Sequence, residues 1–173
     1  MTKLSAFFIF IIVIVAIGLN GLFTMNEKQQ GLVLQFGEPK RVVQDSGLNF
    51  KIPLIQNVVR YDKRILEYDL PIEEVIAVDK KRMLIDSFTR FKITDPLEFY
   101  KTVGSESNVR NRLNSNVISS LRRVVGTVTL DELLSENRSN IMIRIRDEVN
   151  NEAPRFGIEI VDVRIRRADL PEA

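Results

Sequence analysis

The sequence predicts an α+β domain carried behind an N-terminal transmembrane helix, β-rich in its first half, helix-rich in its second and closed by a returning strand. Three observations carry that reading. Residues 4–26 hold no charged side chain. Between residues 31 and 93, apolar and polar residues alternate in several runs separated by turn residues. At Thr94-Asp95-Pro96 the period changes from 2 to 3.6, and it reverts to 2 only after Gly157. The segments that follow are an anchor at 1–26, a β-rich part at 27–94 and an α/β part at 95–173.

In residues 4–23, 16 of 20 positions are apolar. Twenty helical residues span about 30 Å, the thickness of a bilayer hydrocarbon core. The β-branched run IIVIV at 11–15 is an indifferent helix former in water. In lipid a helix satisfies its own backbone polar groups, and that requirement outweighs propensity. Leu4, Phe7, Phe8, Ile11, Val15, Leu19 and Phe23 are the anchor residues this predicts. A cleaved signal peptide is the competing reading, with Ala16-Ile17-Gly18 as its cleavage site. Apolar character continues through Leu19, Leu22 and Phe23, however, which is longer than a usual signal core. Lys3 lies on one side of the segment, while Glu27 and Lys28 nearly cancel on the other. Counting positive groups keeps the short N-terminus in the cytoplasm and sends the domain across.

After the anchor, GLVLQFG at 31–37 alternates, placing Leu32, Leu34 and Phe36 on one face, with Glu38-Pro39 as a turn. Asp45-Ser46-Gly47 turns the chain before LNFKI at 48–52, and Pro53 ends or edges that strand. Two readings stay open for the apolar residues around Pro53. They form an edge strand packed in the core, or a shallow loop in which Leu54 and Ile55 touch the outer leaflet of the bilayer. Residues 58–70 and 72–78 read as extended, and DKKR at 79–82 as a hairpin connection. In residues 83–93, Ile85, Phe91 and Ile93 then face one way, Asp86, Arg90 and Lys92 the other.

Asp95 as N-cap and Pro96 at the first helical position begin a helix through about Val103. A longer one covers 106–125, with Val109, Leu113, Val117, Leu121 and Val124 on one stripe, stopped by Gly126 and Thr127. Thr129 and Glu132 have capping-box spacing ahead of a short helix. Ile141, Met142, Ile145 and Val149 mark a further helix up to Pro154. The last strand runs from Gly157 to about Arg166, with Val161, Val163 and Ile165 on one side and Asp162, Arg164 and Arg166 on the other.

Composition narrows the chemistry. At 45% hydrophobic and 28% charged residues the chain is globular, not disordered. It has no Cys, His or Trp, which removes thiol nucleophiles, disulfides, zinc clusters and every catalytic device built on imidazole. None of the eight glycines has another within two residues, so no dinucleotide or phosphate loop is present. Nothing calls for a cofactor or a metal. The alternative to a non-enzymatic role is a membrane-anchored hydrolase using a Ser-Lys or carboxylate pair. The adjacent acids Glu73-Glu74 and Asp131-Glu132 read instead as solvated or helix-dipole-complementing residues. The basic groups Arg122-Arg123 and Arg164, Arg166 and Arg167 have no aromatic residue beside them in sequence, so no nucleic-acid partner is expected.

The order of several segments resembles a family. The anchor leads into GLVLQFG at 31–37 and SGLNFKIPLI at 46–55; VDKKR at 78–82, IDSFTRFKITD at 85–95 and GIEIVDVRIRRADLP at 157–171 follow. This is similar to the SPFH or band 7 family of stomatins, prohibitins, flotillins and HflK/HflC proteins, on the side of its HflC members. The resemblance implies an inner-membrane protein of bacteria, with a cytoplasmic N-terminus and a periplasmic domain. It also implies a hetero-oligomer with an HflK-like partner and a restraining role toward an FtsH-like membrane AAA protease. No catalytic set is implied. Family members continue past the Leu-Pro ending into a long charged helix, so cage assembly is expected of a longer form.

Overall fold

The computed structural model describes residues 20–135 and 137–170, together with Phe7. The chain divides into two compact units, Met1–Lys63 and Arg64–Ala173.

From Leu22 on, the regular elements of the first unit are strands: β1 (Leu22–Met25), β2 (Gln29–Gln35), β3 (Glu38–Val43), β4 (Gly47–Phe50) and β5 (Gln56–Asp62). β2 lies between β3 and β5, and β1 pairs with β4, all antiparallel. Phe23, Met25, Val33 and Val43 form a small core, with Val58 packed against it. β2 is buried on both faces, so its alternation is weaker in three dimensions than in sequence. The β2–β3 connection is Phe36-Gly37, both at positive φ (52° and 89°), between the paired residues Gln35 and Glu38. That is the two-residue hairpin whose twist matches its strands. The turn therefore precedes Glu38-Pro39 rather than using it. Pro39 sits in the edge strand β3, where its missing N–H disrupts no second ladder, and the register shifts between Val33 and Leu34.

The second unit holds β6 (Leu66–Asp69), β7 (Glu73–Ile76), β8 (Arg82–Ile93) and β9 (Ile158–Asp169). Its helices are α1 (Pro96–Thr102), α2 (Glu106–Val125), α3 (Leu130–Leu134) and α4 (Arg138–Asn150), with a 3-10 turn at Ala153–Phe156. β8 is central. β6 and β7 follow one another along one edge of it, interrupted around Pro71, and β9 runs along the other. Met83, Ile85, Ser87, Thr89, Phe91 and Ile93 of β8 are buried, as are the stripes of α2 and α4 named from the sequence. The helix starts also follow the sequence: Asp95 accepts from Leu97 N and Glu98 N, and Thr129 and Glu132 form the reciprocal capping box.

The unit boundary falls at 63/64, whereas the sequence places a division at 94/95. The change of period there marks the start of α1. It marks no gap in packing, because β8 pairs along its length with a strand more than 60 residues away. β9 also departs from simple alternation. Its register with β8 shifts twice, leaving Val161 and Arg166 as extra residues. Ile158 and Ile160 are buried before the first bulge, Val163 and Ile165 after it. Val161, read from sequence as sharing their face, is half-buried.

α4 secures both irregularities. Asn150 donates from Nδ2 to the Ile160 carbonyl and accepts the Ile160 N–H at Oδ1, each at 2.8 Å. Arg138 donates to the carbonyls of Ile165 and Arg166. At the entry to β9, Gly157 has φ +66°, and a Cβ there would lie 2.3 Å from Asp95 O and 2.6 Å from Phe99 N. Its carbonyl accepts from Thr94 N (2.9 Å) and Asp95 N (3.0 Å).

Candidate functional surfaces

Charged and hydroxyl groups line a cleft of about 370 Å³ between α2 and α4, among them Ser119, Ser120, Glu148 and Glu152. Ser119 donates its hydroxyl to Ser115 O at 2.7 Å. Glu148 is held by Arg123 and Glu152 by Arg155 at 3.0 Å. No lysine lines the cleft. Each carboxylate thus has its own arginine, and the arrangement offers neither a Ser-Lys pair nor two carboxylates sharing a proton. Among the described residues no cluster of three or more Asp or Glu could hold a metal ion. At Asp79 in the β7–β8 hairpin, desolvation raises the carboxyl pKa. The hydrogen bonds and charge of Lys81 more than offset this and hold it below its ordinary value. The pair is 3.2 Å apart, an ion-paired turn rather than a proton donor.

The helix-free face of the second sheet is a charge ladder. Cross-strand pairing sets Glu67 and Asp69 of β6 opposite Arg90 and Phe88 of β8. Arg90 reaches Glu67 at 2.9 Å, and Arg166 from the β9 bulge reaches Asp69. Their guanidinium carbons lie 5.3 and 4.8 Å from the Phe88 ring centroid, so the ring is flanked by two cations. Arg164 meets Asp162 at 2.6 Å on this face; elsewhere Arg122 of α2 meets Glu73 at 2.8 Å. The fold therefore gives the C-terminal basic group an aromatic neighbour that its sequence lacks. It also gives most of these arginines an internal carboxylate, which leaves little free positive charge for a polyanion. Such exposed pairs contribute only about 0–1 kcal/mol each to stability.

A different surface forms at one end of the first unit. Leu54 is 97% exposed and Phe36 82% exposed. Both are bulky side chains at positive φ, 67° and 52°, a conformation that costs a non-glycine residue about 1–2 kcal/mol. The two tips are joined by Phe36 N donating to Ile55 O at 3.4 Å. Phe50, Ile52 and Ile55 are exposed beside them. Lys51 N donates to Gly21 O at 2.7 Å, and Leu22 pairs with Phe50. The loop is thereby tied to the point where the charge-free N-terminal stretch enters the unit. Of the two readings open for Leu54, core packing is set aside, because its side chain meets solvent. Phe36 is a correction: the alternation of residues 31–37 puts it on one face with Leu32 and Leu34, which are buried, whereas it occupies the β2–β3 turn and meets solvent. A Phe-Gly pair ending an alternating run was the available signal, since a two-residue turn must project its first side chain.

Of the predicted anchor residues, Leu4, Phe8, Ile11, Val15 and Leu19 lie outside the described residues. Phe7 is helical and exposed. Phe23 is a correction: it is the second residue of β1 and is buried in the small core. The alternation of Leu22–Met25 and its pairing with β4 draw Phe23 into the unit, where hydropathy alone assigned it to lipid. Among the described residues no helix is long and apolar enough to cross a membrane.

Residues 23–173 match the model of the SPFH domain / Band 7 family. The chain is 30% identical over 173 residues to "Protein HflC" of Haemophilus influenzae, covering 94% of this chain and 59% of that protein. It is 25% identical over 214 residues to "Modulator of FtsH protease HflC" of Escherichia coli K12, covering 96% of this chain and 64% of that one. An uncharacterized protein of Archaeoglobus fulgidus is 28% identical over 164 residues, 94% of this chain and 63% of that protein. The chain thus spans about three-fifths of the length of these relatives.

Proposed function

The chain belongs to the SPFH domain / Band 7 family, and from that premise we propose that it is a non-enzymatic, membrane-anchored scaffold of the HflC type. In this reading it assembles with an HflK-like partner and modulates an FtsH-like membrane protease. The observation that carries the proposal is the similarity, over almost the whole chain, to proteins named HflC, one of them named as a modulator of that protease. The geometry supports it. Many of the described arginines and carboxylates pair with one another across exposed faces, as befits a protein that acts by association.

The N-terminal stretch holds the protein at the inner membrane with its domain on the periplasmic side. Confinement to a plane raises the local concentration of neighbours, so modest lateral contacts suffice for assembly. Leu54 and Ile55, joined by Phe36, rest against the outer leaflet and fix the orientation of the first unit to the bilayer. Because Phe23 belongs to β1, the membrane-spanning stretch ends by Gly21. The first unit then begins within a residue or two of the membrane-spanning stretch and lies close to the headgroups.

The test is affinity purification from gently solubilised membranes, with protease and partner identified by mass spectrometry. Recovery of an FtsH-like protease together with an HflK-like protein is the expected result. Absence of both from the eluate, with the bait intact, counts against the assignment.

A further inference from the structure

We propose that Lys51 is an anionic-phospholipid headgroup site, a cation placed to take a lipid phosphate beside the point where the N-terminal stretch enters the domain. The inference rests on the membrane contact of the Leu54 loop and goes beyond it by assigning the lipid class. Asn20, Lys51, Pro53 and Leu54 line a cleft of about 300 Å³. Lys51 is half-buried in it, and among the described residues no carboxylate pairs with its ammonium. Its backbone is fixed by the hydrogen bond to Gly21 O.

Within the segment that carries Lys51 the charge has one sign. Residues 46–61 contain Lys51 and Arg60 and no acidic residue. Arg41 reaches the same strand end, donating to Phe50 O at 2.7 Å. The neighbouring side chains Phe50, Ile52, Leu54 and Ile55 are exposed and apolar. An ammonium within an apolar rim has its place at the headgroup level of a bilayer, its stem among the acyl chains and its charge at the phosphates. In water the same arrangement leaves four apolar side chains exposed around one ammonium. A zwitterionic lipid brings its own cation alongside the phosphate, whereas an anionic one does not, so the site favours the anionic class.

The experiment uses the full chain in phosphatidylcholine vesicles carrying trace spin-labelled phosphatidylglycerol or spin-labelled phosphatidylcholine. The fraction of each probe immobilised at the protein gives its relative association. Phosphatidylglycerol should be preferred by about fivefold, the effect of one basic group near an anionic lipid. Lys51→Gln should bring the ratio close to one, Lys51→Arg should keep it, and Arg60→Gln should leave it unchanged. Equal association of the two probes with the unaltered chain overturns the proposal. So does an Arg60→Gln loss as large as that of Lys51→Gln, because the preference would then be bulk charge. A parallel measurement separates this from the membrane contact beneath it. The chain has no Trp, so Phe36→Trp supplies a single fluorophore, quenched by brominated phosphatidylcholine where the loop meets lipid. Quenching without lipid preference removes the headgroup site alone; loss of quenching removes the membrane contact as well.

Discussion

Leu54 is held in a backbone conformation that disfavours it, and it points into solvent, so replacing it should move stability and membrane contact in opposite directions. The φ of +67° costs a branched side chain about 1–2 kcal/mol, while asparagine tolerates that region. Leu54→Asn and Leu54→Ala both remove the large apolar group, but alanine retains the strain. Leu54→Asn should therefore unfold about 1 kcal/mol later than Leu54→Ala, read from urea titrations of the full chain in nonionic micelles by far-UV circular dichroism. On the membrane side, a side chain that is 97% exposed loses about 2 kcal/mol of apolar burial when removed from lipid. That corresponds to a roughly 30-fold weaker loop insertion. In a Phe36→Trp background, Leu54→Asn should reduce quenching by brominated lipid and shift Trp emission to the red. Two results would refute the reasoning. If Leu54→Ala matches Leu54→Asn in stability, the tip is unstrained. If quenching is unchanged, Leu54 does not meet lipid.

Gly157→Ala should destabilise by about 2–4 kcal/mol, combining positive-φ strain with a Cβ that meets the α1 backbone; a loss under about 1 kcal/mol in the same titration contradicts the close approach. Asn150→Ala leaves the Ile160 N–H and C=O without their partner and should cost about 1–3 kcal/mol. It should also accelerate amide exchange at Ile160 well before the β8 core exchanges, and uniform exchange along β9 argues otherwise. Thr129→Ala removes the capping box of α3 at about 1 kcal/mol. Thr129→Ser should restore most of it, and no difference between Ala and Ser means that the cap contributes nothing.

Local patterns in the sequence gave direct access to elements whose residues interact with near neighbours. The Asp95-Pro96 start of α1, the Thr129–Glu132 box and the buried stripes of α2 and α4 all stand where periodicity and capping chemistry put them. Apart from the β2–β3 turn, a local hairpin, the misplaced residues share one cause, which is pairing between distant segments. Phe23 looks lipid-facing until β4 is present to draw it into a strand. Val161 looks core-facing until β8 imposes a bulge. The Phe88 stack with Arg90 and Arg166 joins residues from two strands far apart in the chain. Among candidate site residues, Leu54 was legible as an exposed apolar tip only as one of two readings. Pro53 marks an interruption but does not say which side of it meets solvent. Phe36 reads from sequence as a strand-face residue with Leu32 and Leu34, and Lys51 carries no local signal; one turn residue and one lysine acquire meaning only from the neighbours that the fold supplies.

The two attachments of α4 to β9 have a mechanical consequence. Asn150 and Arg138 sit at opposite ends of the helix, 12 positions and so about 18 Å apart along its axis. Between them they engage the outward backbone of a strand that has β8 as its partner and no second one among the described residues. Helix and strand edge are consequently one opening unit: α4 cannot lift away without baring polar backbone groups ready to template another strand. Force transmitted into the C-terminal strand would be shared by two side-chain clasps before it reached the β8–β9 ladder. The C-terminal strand thus has a built-in strain relief, and the same clasps keep it from annealing to the edge of a neighbouring molecule.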